Sequence, residues 1–209
     1  MKRRGDYRKG KTKENLLTDQ EVEKILHACI AFSETFVLTA LLFTGMRVSE
    51  LIHMRKSWVD KILGLIRIPK NQACSCSQCE RELRNKKDEI TKPSGLWKPK
   101  TFEAVRSIPI VEEVQPVLDK FFSTHKTVME YVPSRGSAYY YVRKVARRAK
   151  VQHLVFPHVM RGTFATLLAR KGFNAFEIKD TMGWKSIKTA EEYIKLSGAA
   201  VKKAFEEKW

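Results

Sequence analysis

Residues 157 to 197 read PHVMRGTFATLLARKGFNAFEIKDTMGWKSIKTAEEYIKLS, and the rest of the chain is best understood from this stretch. His158 and Arg161 stand three residues apart at the start of a helical pattern, which places both side chains on one helix face. A Gly-Trp pair ending at Trp184 follows a second apolar run, and Tyr193 lies nine residues further on in a polar helical pattern. A proton carrier, a cation and a phenol within reach of one point are the groups that phosphoryl transfer to a tyrosine requires.

A second informative stretch lies upstream, where residues 41 to 51 read LLFTGMRVSEL. Arg47 follows a glycine that closes a strongly apolar run, and Glu50 stands three residues later, where its carboxylate can orient the guanidinium. A surface arginine is the competing interpretation in so basic a chain. Both the apolar run before Arg47 and the carboxylate after it count against that interpretation.

Together, the two stretches resemble the motifs of the tyrosine recombinases, the phage integrase family. The family's C-terminal motif is H-x-x-R, then Leu or Met followed by Gly and His or Trp, then the nucleophilic Tyr, and its first-arginine motif matches residues 41 to 51. The resemblance extends from about Leu17 to Gly198. It implies an α+β fold, a mainly α-helical catalytic domain with a small antiparallel β-sheet.

The resemblance also assigns chemical roles to the matching residues. Tyr193 would attack a DNA phosphodiester, leaving a 3′-phosphotyrosine and a free 5′-hydroxyl, and His158 would carry the proton on the tyrosine side. Arg47 and Arg161 would hold the non-bridging oxygens and stabilise the charge of the pentacovalent transition state. Glu50 would support Arg47 without taking part in the reaction.

Two positions differ from the pattern of many relatives. Trp184 stands where many relatives have His; its indole N–H can donate one hydrogen bond to the phosphate but cannot carry a proton. Relatives often have a second His directly after the H-x-x-R arginine, where this chain has Gly162. Since that residue is not the main proton carrier, we expect Gly162 to tune the activity rather than abolish it.

Two strands and a lysine are predicted between the motifs. LIRIP at 65 to 69 and AVRSIPI at 104 to 110 predict strands, which in the family are neighbours in the sheet whose connection delivers a catalytic lysine. Residues 96 to 110 resemble the Pro-Lys-Thr…Arg…Ile-Pro segment of archaeal-type integrases. This makes Lys100 the candidate that protonates the departing 5′-oxygen, with a solvated loop lysine as the alternative. Two further lysines rank behind it: Lys98 and Lys70.

The connection between these strands, with an insertion at 71 to 99, is much longer than an ordinary hairpin loop and contains CSCSQC. Cys74, Cys76 and Cys79 form a C-x-C-x-x-C cluster, and thiolates at this separation suit Zn²⁺. A structural zinc site usually has four ligands, and no His lies nearby in the sequence. Surface thiols or a ligand supplied by a partner are the alternatives.

Composition and charge point to a polyanionic partner. The chain of 209 residues has 40 Lys and Arg against 23 Asp and Glu, a formal net charge of +17, which favours double-stranded DNA as the ligand. A basic helix at 137 to 150 could contact phosphates, although a solvated face is the alternative; its candidate DNA-binding residues are Arg143, Lys144, Arg147 and Arg148. Neither a membrane span nor a signal peptide is expected, and the four Cys are typical of a reduced cytoplasmic protein.

The helices and domain limits follow from caps and apolar patterns. A capping box at residues 18 to 21 predicts a helix from Asp19. Further helices are expected at 33 to 44, 48 to 56, 111 to 122 with a break at Pro116, and 137 to 150. The expected organisation is a basic N-terminal arm at 1 to 16, a catalytic domain at 17 to 198 and a C-terminal tail helix at 199 to 209. In the family such a tail commonly docks on a neighbouring protomer.

The function implied by the resemblance is site-specific DNA recombination, as a homotetramer on DNA that integrates or excises a mobile element of a virus or plasmid. The sequence lacks an acidic triad with metal-binding spacing and a P-loop motif, so no cofactor is expected for the chemistry. Two alternatives stay open at this point. A type IB topoisomerase shares the same chemistry, and a non-catalytic DNA-binding relative would keep the fold without the reaction.

Overall fold

The helices surround a small three-stranded sheet in this computed structural model, which describes residues 12–76, 79, 96–198, 201–202 and 205–206. The main helices are α1 Asp19–His27, α2 Phe32–Thr44, α3 Val48–His53, α4 Gln115–Thr124, α5 Arg135–Arg148, α6 Pro157–Arg170, α7 Ala175–Met182 and α8 Ile187–Ser197. The strands are β1 Val59–Asp60, β2 Leu65–Ile68, β3 Gln72–Ala73, β4 Leu96–Trp97 and β5 Arg106–Pro109. The mainly α-helical fold with a small antiparallel sheet is the one predicted from the sequence.

Helices α2 and α6 form the centre of the domain. Helix α2 is buried on nearly all sides because its sequence is apolar around the whole circumference, and Phe36 stacks on Phe121 of α4 with ring centroids 4.1 Å apart. Helix α6 packs between α2 and α8. Full burial of one large apolar side chain of this kind contributes about 1.5–3 kcal/mol. The core therefore fixes α6, which carries His158 and Arg161, against α2.

Two glycines end the helices that approach the site. Gly45 after α2 and Gly183 after α7 both adopt left-handed backbone conformations, with φ of 57° and 59°. A Cβ at Gly45 would lie 2.6 Å from a ring carbon of Phe164, and one at Gly183 would lie 2.7 Å from the carbonyl oxygen of Glu103. Glycine is therefore required at both positions for two reasons: the left-handed backbone conformation, and the close contact with Phe164 at Gly45 and with Glu103 at Gly183.

The predicted pair of strands is confirmed as β2 and β5, which pair antiparallel with Ile66 opposite Ile108. Strand β1 adds a third member, in the order β1-β2-β5; it is too short to leave a pattern in the sequence. Strands β3 and β4 pair separately, with Gln72 opposite Trp97. They close the base of the insertion at 71 to 99, of which residues 77–78 and 80–95 lie outside the described residues.

Several boundaries differ from the predictions. The packed chain begins before residue 17, because residues 13 to 15 form a 3-10 turn and Lys13 pairs with Glu192 of α8; residues 1–11 lie outside the described part. Helix α3 ends at His53, three residues earlier than expected. Pro116 lies in the first turn of α4, where proline fits a helix, and does not break it.

The capping box at the start of α1 is confirmed, since the Thr18 hydroxyl accepts from the Glu21 N–H and the Glu21 carboxylate accepts from the Thr18 N–H. In the tail, Val201 and Phe205 are exposed, while Trp209 lies outside the described residues. Among the helices of the described residues, none has both the length and the apolar character needed to cross a membrane.

Candidate active site

Three arginines converge on the C-terminal end of α7, where the backbone carbonyls of residues 181 to 183 point outward. Arg106 Nε donates to the first of these oxygens at 2.7 Å, Arg161 donates to the second, and Arg47 Nη2 donates to the third at 3.0 Å. Carbonyls at the end of a helix have no partner within the helix and carry the negative end of its dipole. The end of α7 is therefore a natural anchor for these guanidiniums.

Glu50 lies between two of the arginines and is almost completely buried, with 1% of its surface exposed. Its carboxylate accepts from Arg47 Nη1 at 2.7 Å and from Arg106 Nη2 at 3.1 Å, and it also caps α3 through the Arg47 N–H at 2.8 Å. Burial alone would raise the pKa of Glu50, but the charges of Arg106, Arg161 and Arg47 outweigh it and lower the pKa. Glu50 is thus an ionised support for both arginines.

Arg161 is the most deeply buried of the arginines, because α6 carries it between the ends of α2 and α7. Its Nη1 donates to the Gly45 carbonyl and its Nη2 to the Met182 carbonyl. Burial lowers the pKa of Arg161, and the nearby charge of Glu50 opposes that effect. Since the ordinary pKa of a guanidinium lies above about 12, Arg161 is still a cation at neutral pH.

Tyr193 of α8 lies beside this cation. Its ring stacks on Trp184 at 5.1 Å between centroids, and the Arg161 guanidinium lies 5.8 Å from the centre of the same Trp184 ring. Burial raises the pKa of Tyr193, and the charge of Arg161 acts in the opposite direction. The phenol is therefore protonated at neutral pH, so that it needs a base to become a nucleophile.

Gly162 provides the space for the Tyr193 ring. A Cβ at residue 162 would lie 3.2 Å from the Tyr193 hydroxyl oxygen and 2.8 Å from a methyl carbon of Leu16. Any larger side chain after Arg161 would require Leu16 to shift and would press on the tyrosine ring. The departure from the family pattern noted in the sequence thus lies beside the phenol.

His158 lies at the start of α6, with its Nδ1 3.5 Å from the Tyr139 hydroxyl. Partial burial lowers the pKa of His158, and the charges of Arg161, Arg47 and Lys100 lower it further. The imidazole is therefore mainly neutral near pH 7 and able to accept a proton. Lys100, an exposed residue after β4, is thus close enough to His158 for its charge to act on the imidazole. Neither Lys98 nor Lys70 is among the charges that act on His158.

Arg106 had no role in the sequence analysis. It is the first residue of β5, and its side chain is 5% exposed. An arginine at the start of a strand that leads into the buried Ile108 was the available signal, because burial of an arginine demands a partner. That partner, Glu50, is 56 residues away in the chain, and only the fold brings the two together.

The four candidate DNA-binding residues of α5 divide into two groups. Lys144 and Arg148 bind the buried Glu34 at 3.0 and 2.7 Å, so these cations are engaged within the protein. A groove of about 680 Å³ runs along α5 beside Arg143 and Arg147, with Lys144 also at its edge. Two of its lining residues, Tyr139 and Phe156, contact His158. The lining of the groove includes Tyr139, Tyr140, Arg143, Lys144, Arg147 and Phe156.

The three clustered cysteines do meet in space, and a fourth group joins them. The ligand atoms of His53, Cys74, Cys76 and Cys79 lie within 4.8 Å of one another. The expectation that no histidine is near was therefore wrong, because His53 lies 21 residues before Cys74 and reaches the cluster from the end of α3. Burial raises the pKa of Cys79, and the neighbouring thiols add to the increase.

The sequence is similar to those of known proteins of one family. A model of the phage integrase family matches residues 15–199. The tyrosine recombinase XerA of Saccharolobus solfataricus is 25% identical over 181 residues, which cover 86% of this chain and 52% of that protein. The tyrosine recombinase XerD of Staphylococcus aureus is 25% identical over 178 residues, covering 83% of this chain and 54% of that protein. The chain thus spans about half the length of these relatives.

Solved structures show the same fold. A crystal structure of XerA recombinase matches with a TM-score of 0.67 and 19% identity, over 98% of this chain and 65% of that one. The catalytic domain of bacteriophage HP1 integrase matches with a TM-score of 0.55 and 18% identity, over 91% of this chain and 93% of that one. Because the family model spans residues 15–199, most of the sequence, the chain belongs to the phage integrase family.

Proposed function

We propose that this chain is the catalytic part of a site-specific DNA recombinase that cuts and rejoins DNA through a phosphotyrosine at Tyr193. The observation that carries the proposal is the position of Tyr193, stacked on Trp184 and next to the buried cation of Arg161. Family membership and the similarity to named tyrosine recombinases support the same reaction.

The charge of the site suits a phosphodiester. Three guanidiniums, those of Arg47, Arg106 and Arg161, face the single carboxylate of Glu50, which leaves two positive charges. A phosphodiester carries one negative charge and gains a second when an oxygen nucleophile attacks. The Arg47 side chain is 22% exposed and that of Arg106 is 5% exposed, so Arg47 is the better placed of the two to meet DNA first. The excess charge therefore stabilises the transition state more than the bound substrate.

The protons are moved by two groups on opposite sides of the phosphorus. His158 takes the proton of the Tyr193 hydroxyl, whose oxygen forms a bond to phosphorus while the bond to the 5′-oxygen breaks. Lys100 donates a proton to that leaving oxygen. Ligation is the reverse: a 5′-hydroxyl attacks the phosphotyrosine and the phenol recovers its proton. No cofactor takes part, and a metal at the Cys–His cluster would have a structural role.

The partners in this proposal are double-stranded DNA and further copies of the chain. A matched structure of the Tn1549 transposon integrase, with a TM-score of 0.64 and 19% identity, is a complex with transposon right end DNA. We expect a tetramer on DNA that inserts or excises a mobile element of a virus or plasmid in the cytoplasm. The exposed Val201 and Phe205 support docking of the tail on a neighbouring protomer.

The test is covalent trapping on a pool of nicked duplexes of random sequence, from which the cleaved 5′ strand is lost. We expect a protein–DNA adduct that survives denaturation, disappears in Tyr193→Phe and persists in the control Tyr131→Phe. An adduct that forms equally with Tyr193→Phe would overturn the proposal. Sequencing of the trapped DNA separates the alternatives, since a recombinase enriches a defined site and a topoisomerase does not.

A further inference from the structure

A cluster of soft ligands lies at the base of the insertion and takes its histidine, His53, from the end of α3. Nε2 of His53 lies 3.5 Å from the sulfur of Cys76 and 3.5 Å from that of Cys79. All four ligand atoms, with that of Cys74 included, fall within 4.8 Å of one another. His53, Cys74 and Cys79 are buried, with 3%, 8% and 5% of their surface exposed. Three of the four groups are thus shielded from solvent, and Cys76 is half-buried.

The histidine is oriented for metal binding by its second nitrogen. Nδ1 of His53 lies 2.7 Å from the Ser49 carbonyl oxygen, to which it must donate its proton, so Nε2 presents a lone pair to the three sulfurs. The backbone N–H groups of Cys76 and Cys79 point at the sulfurs of Cys74 and Cys76, at 3.5 and 3.4 Å. Such N–H groups stabilise thiolates.

We propose that His53, Cys74, Cys76 and Cys79 bind one zinc ion that fastens the base of the insertion to α3. A closed set of three Cys and one His is a common structural zinc site. With Zn–S of about 2.3 Å and Zn–N of about 2.0–2.1 Å, tetrahedral geometry places sulfur and nitrogen about 3.6 Å apart. The observed separations of 3.5 Å from His53 to two of the sulfurs already match this value.

The ligands are already held by contacts between the two segments that the metal would join, the end of α3 and the strands β3 and β4 at the base of the insertion. The His53 ring stacks on Trp97 of β4 at 5.3 Å between centroids, and Trp97 contacts Trp58 at 5.2 Å. Gln72 of β3 donates to the His53 carbonyl at 2.7 Å. Strand β4 leads within three residues to Lys100, and α3 carries Glu50 and begins directly after Arg47. A metal ion here would hold the lysine-bearing segment against the helix of the first arginine.

The first experiment measures metal in the parent protein, purified without a histidine tag and without chelator. Elemental analysis by mass spectrometry should find one zinc per chain, and X-ray absorption should show three sulfurs at about 2.3 Å and one nitrogen at about 2.0–2.1 Å. Protein that folds and contains no zinc after growth in zinc-supplemented medium would overturn the proposal, as would a disulfide among these cysteines or iron in place of zinc.

Substitutions assign the ligands. Cys76→Ser, at the most exposed ligand, and His53→Asn, which keeps a donor toward the Ser49 carbonyl, should each weaken zinc affinity by more than about tenfold in competition with a chromophoric chelator. Cys29→Ser is the matched control, because Cys29 lies in α1's capping turn away from the cluster. Equal zinc affinity in Cys76→Ser and Cys29→Ser would exclude the assigned site.

The effect on Lys100 rests on the proposed recombinase function and has its own test. Cleavage is compared on a normal duplex and on one in which sulfur replaces the 5′-bridging oxygen, since a thiol with a pKa of about 8.5 leaves without a proton. Cys76→Ser should cleave the normal duplex at least about tenfold more slowly and the sulfur-containing duplex at the parent rate. Equal losses on both duplexes would overturn the positioning role while the zinc measurements still decide the metal site. No adduct from the parent protein on either duplex would instead count against the recombinase function.

Discussion

Among single side chains, Glu50 joins two arginines of the site. It is the only carboxylate among the described residues that contacts both Arg47 and Arg106, and all of its hydrogen bonds are to these arginines. Removal of its charge would leave two guanidiniums near Arg161 without compensation in a region with little water. The residue that the sequence indicated only as a support for Arg47 is thus central to the stability of the charged cluster.

We expect Glu50→Gln to lower the free energy of unfolding by about 3–5 kcal/mol, because breaking a buried ion pair leaves uncompensated charge. Urea unfolding followed by circular dichroism measures the change. Asp60→Asn is the control, since Asp60 pairs with Arg67 at the surface at a similar 2.8 Å and its loss should change stability far less. Similar losses in the two variants would show that burial of Glu50 contributes nothing.

The proximity of Lys100 to His158 gives a second prediction. His158 should titrate below the ordinary pKa of 6.5, because partial burial and the charges of Arg161, Arg47 and Lys100 all disfavour its protonated form. Lys100→Met removes one of these charges and should raise the pKa of His158. The measurement is an NMR titration of the imidazole in the protein without DNA.

Lys98→Met is the matched control for this titration, because Lys98 is two residues away and is not among the charges that act on His158. The pH dependence of DNA cleavage should shift in the same direction as the pKa of His158. Since His158 must be neutral to accept the tyrosine proton, cleavage falls as pH drops through its pKa. On the duplex with a 5′-bridging sulfur, whose leaving group needs no proton from Lys100, Lys100→Met should move that decline to higher pH. A His158 pKa unchanged by Lys100→Met would remove Lys100 from the active site.

At the level of helices and strands, the end of α7 is the decisive feature. Three consecutive carbonyls hold three arginines that come from α3, β5 and α6. The left-handed turn at Gly183 exposes these carbonyls and lets α7 approach the chain before β5. The position of this one helix end therefore sets the geometry of the whole cationic cluster.

Gly183→Ala should lose more stability than Gly64→Ala, although both residues have nearly the same φ, 59° and 63°. The left-handed conformation costs each alanine about 1–2 kcal/mol. Only at residue 183 would the new methyl group also collide with backbone, whereas nothing lies within 4 Å of a Cβ at residue 64. Thermal unfolding and covalent trapping should both show the larger defect in Gly183→Ala. Equal unfolding temperatures would show that the end of α7 adapts freely.

The sequence predicted those elements whose signals are local. The capping box before α1, the glycine after α2 and the alternation in β2 lie within a few residues of the structure that they specify. Strand β1 has two residues and depends on β2 for its formation. Arg106 and His53 were missed for a similar reason, because their partners lie far away in the chain and meet only after folding.

The charge of the entire chain has a measurable consequence for DNA binding. A net charge of +17 predicts salt-dependent affinity, but internal ion pairs take some of the cations out of contact with DNA. On α5, Arg148 binds Glu34 and the Ala28 carbonyl, both at 2.7 Å, while Arg147 is exposed along the groove beside His158. From net charge alone, the two neighbouring arginines would contribute equally to DNA binding. In the fold, Arg147 is available to DNA and Arg148 is paired with Glu34.

We expect Arg147→Ala to reduce the slope of log affinity against log salt concentration by about 1, as for the loss of one phosphate contact. Arg148→Ala should leave that slope unchanged and lower the unfolding temperature, because the buried Glu34 loses its strongest partner. Fluorescence anisotropy with a labelled duplex across a salt series measures the slope, and differential scanning calorimetry measures the unfolding temperature. An equal change of slope in both variants would mean that Arg148 leaves Glu34 to bind DNA, and that the internal pair is a resting state of the free protein.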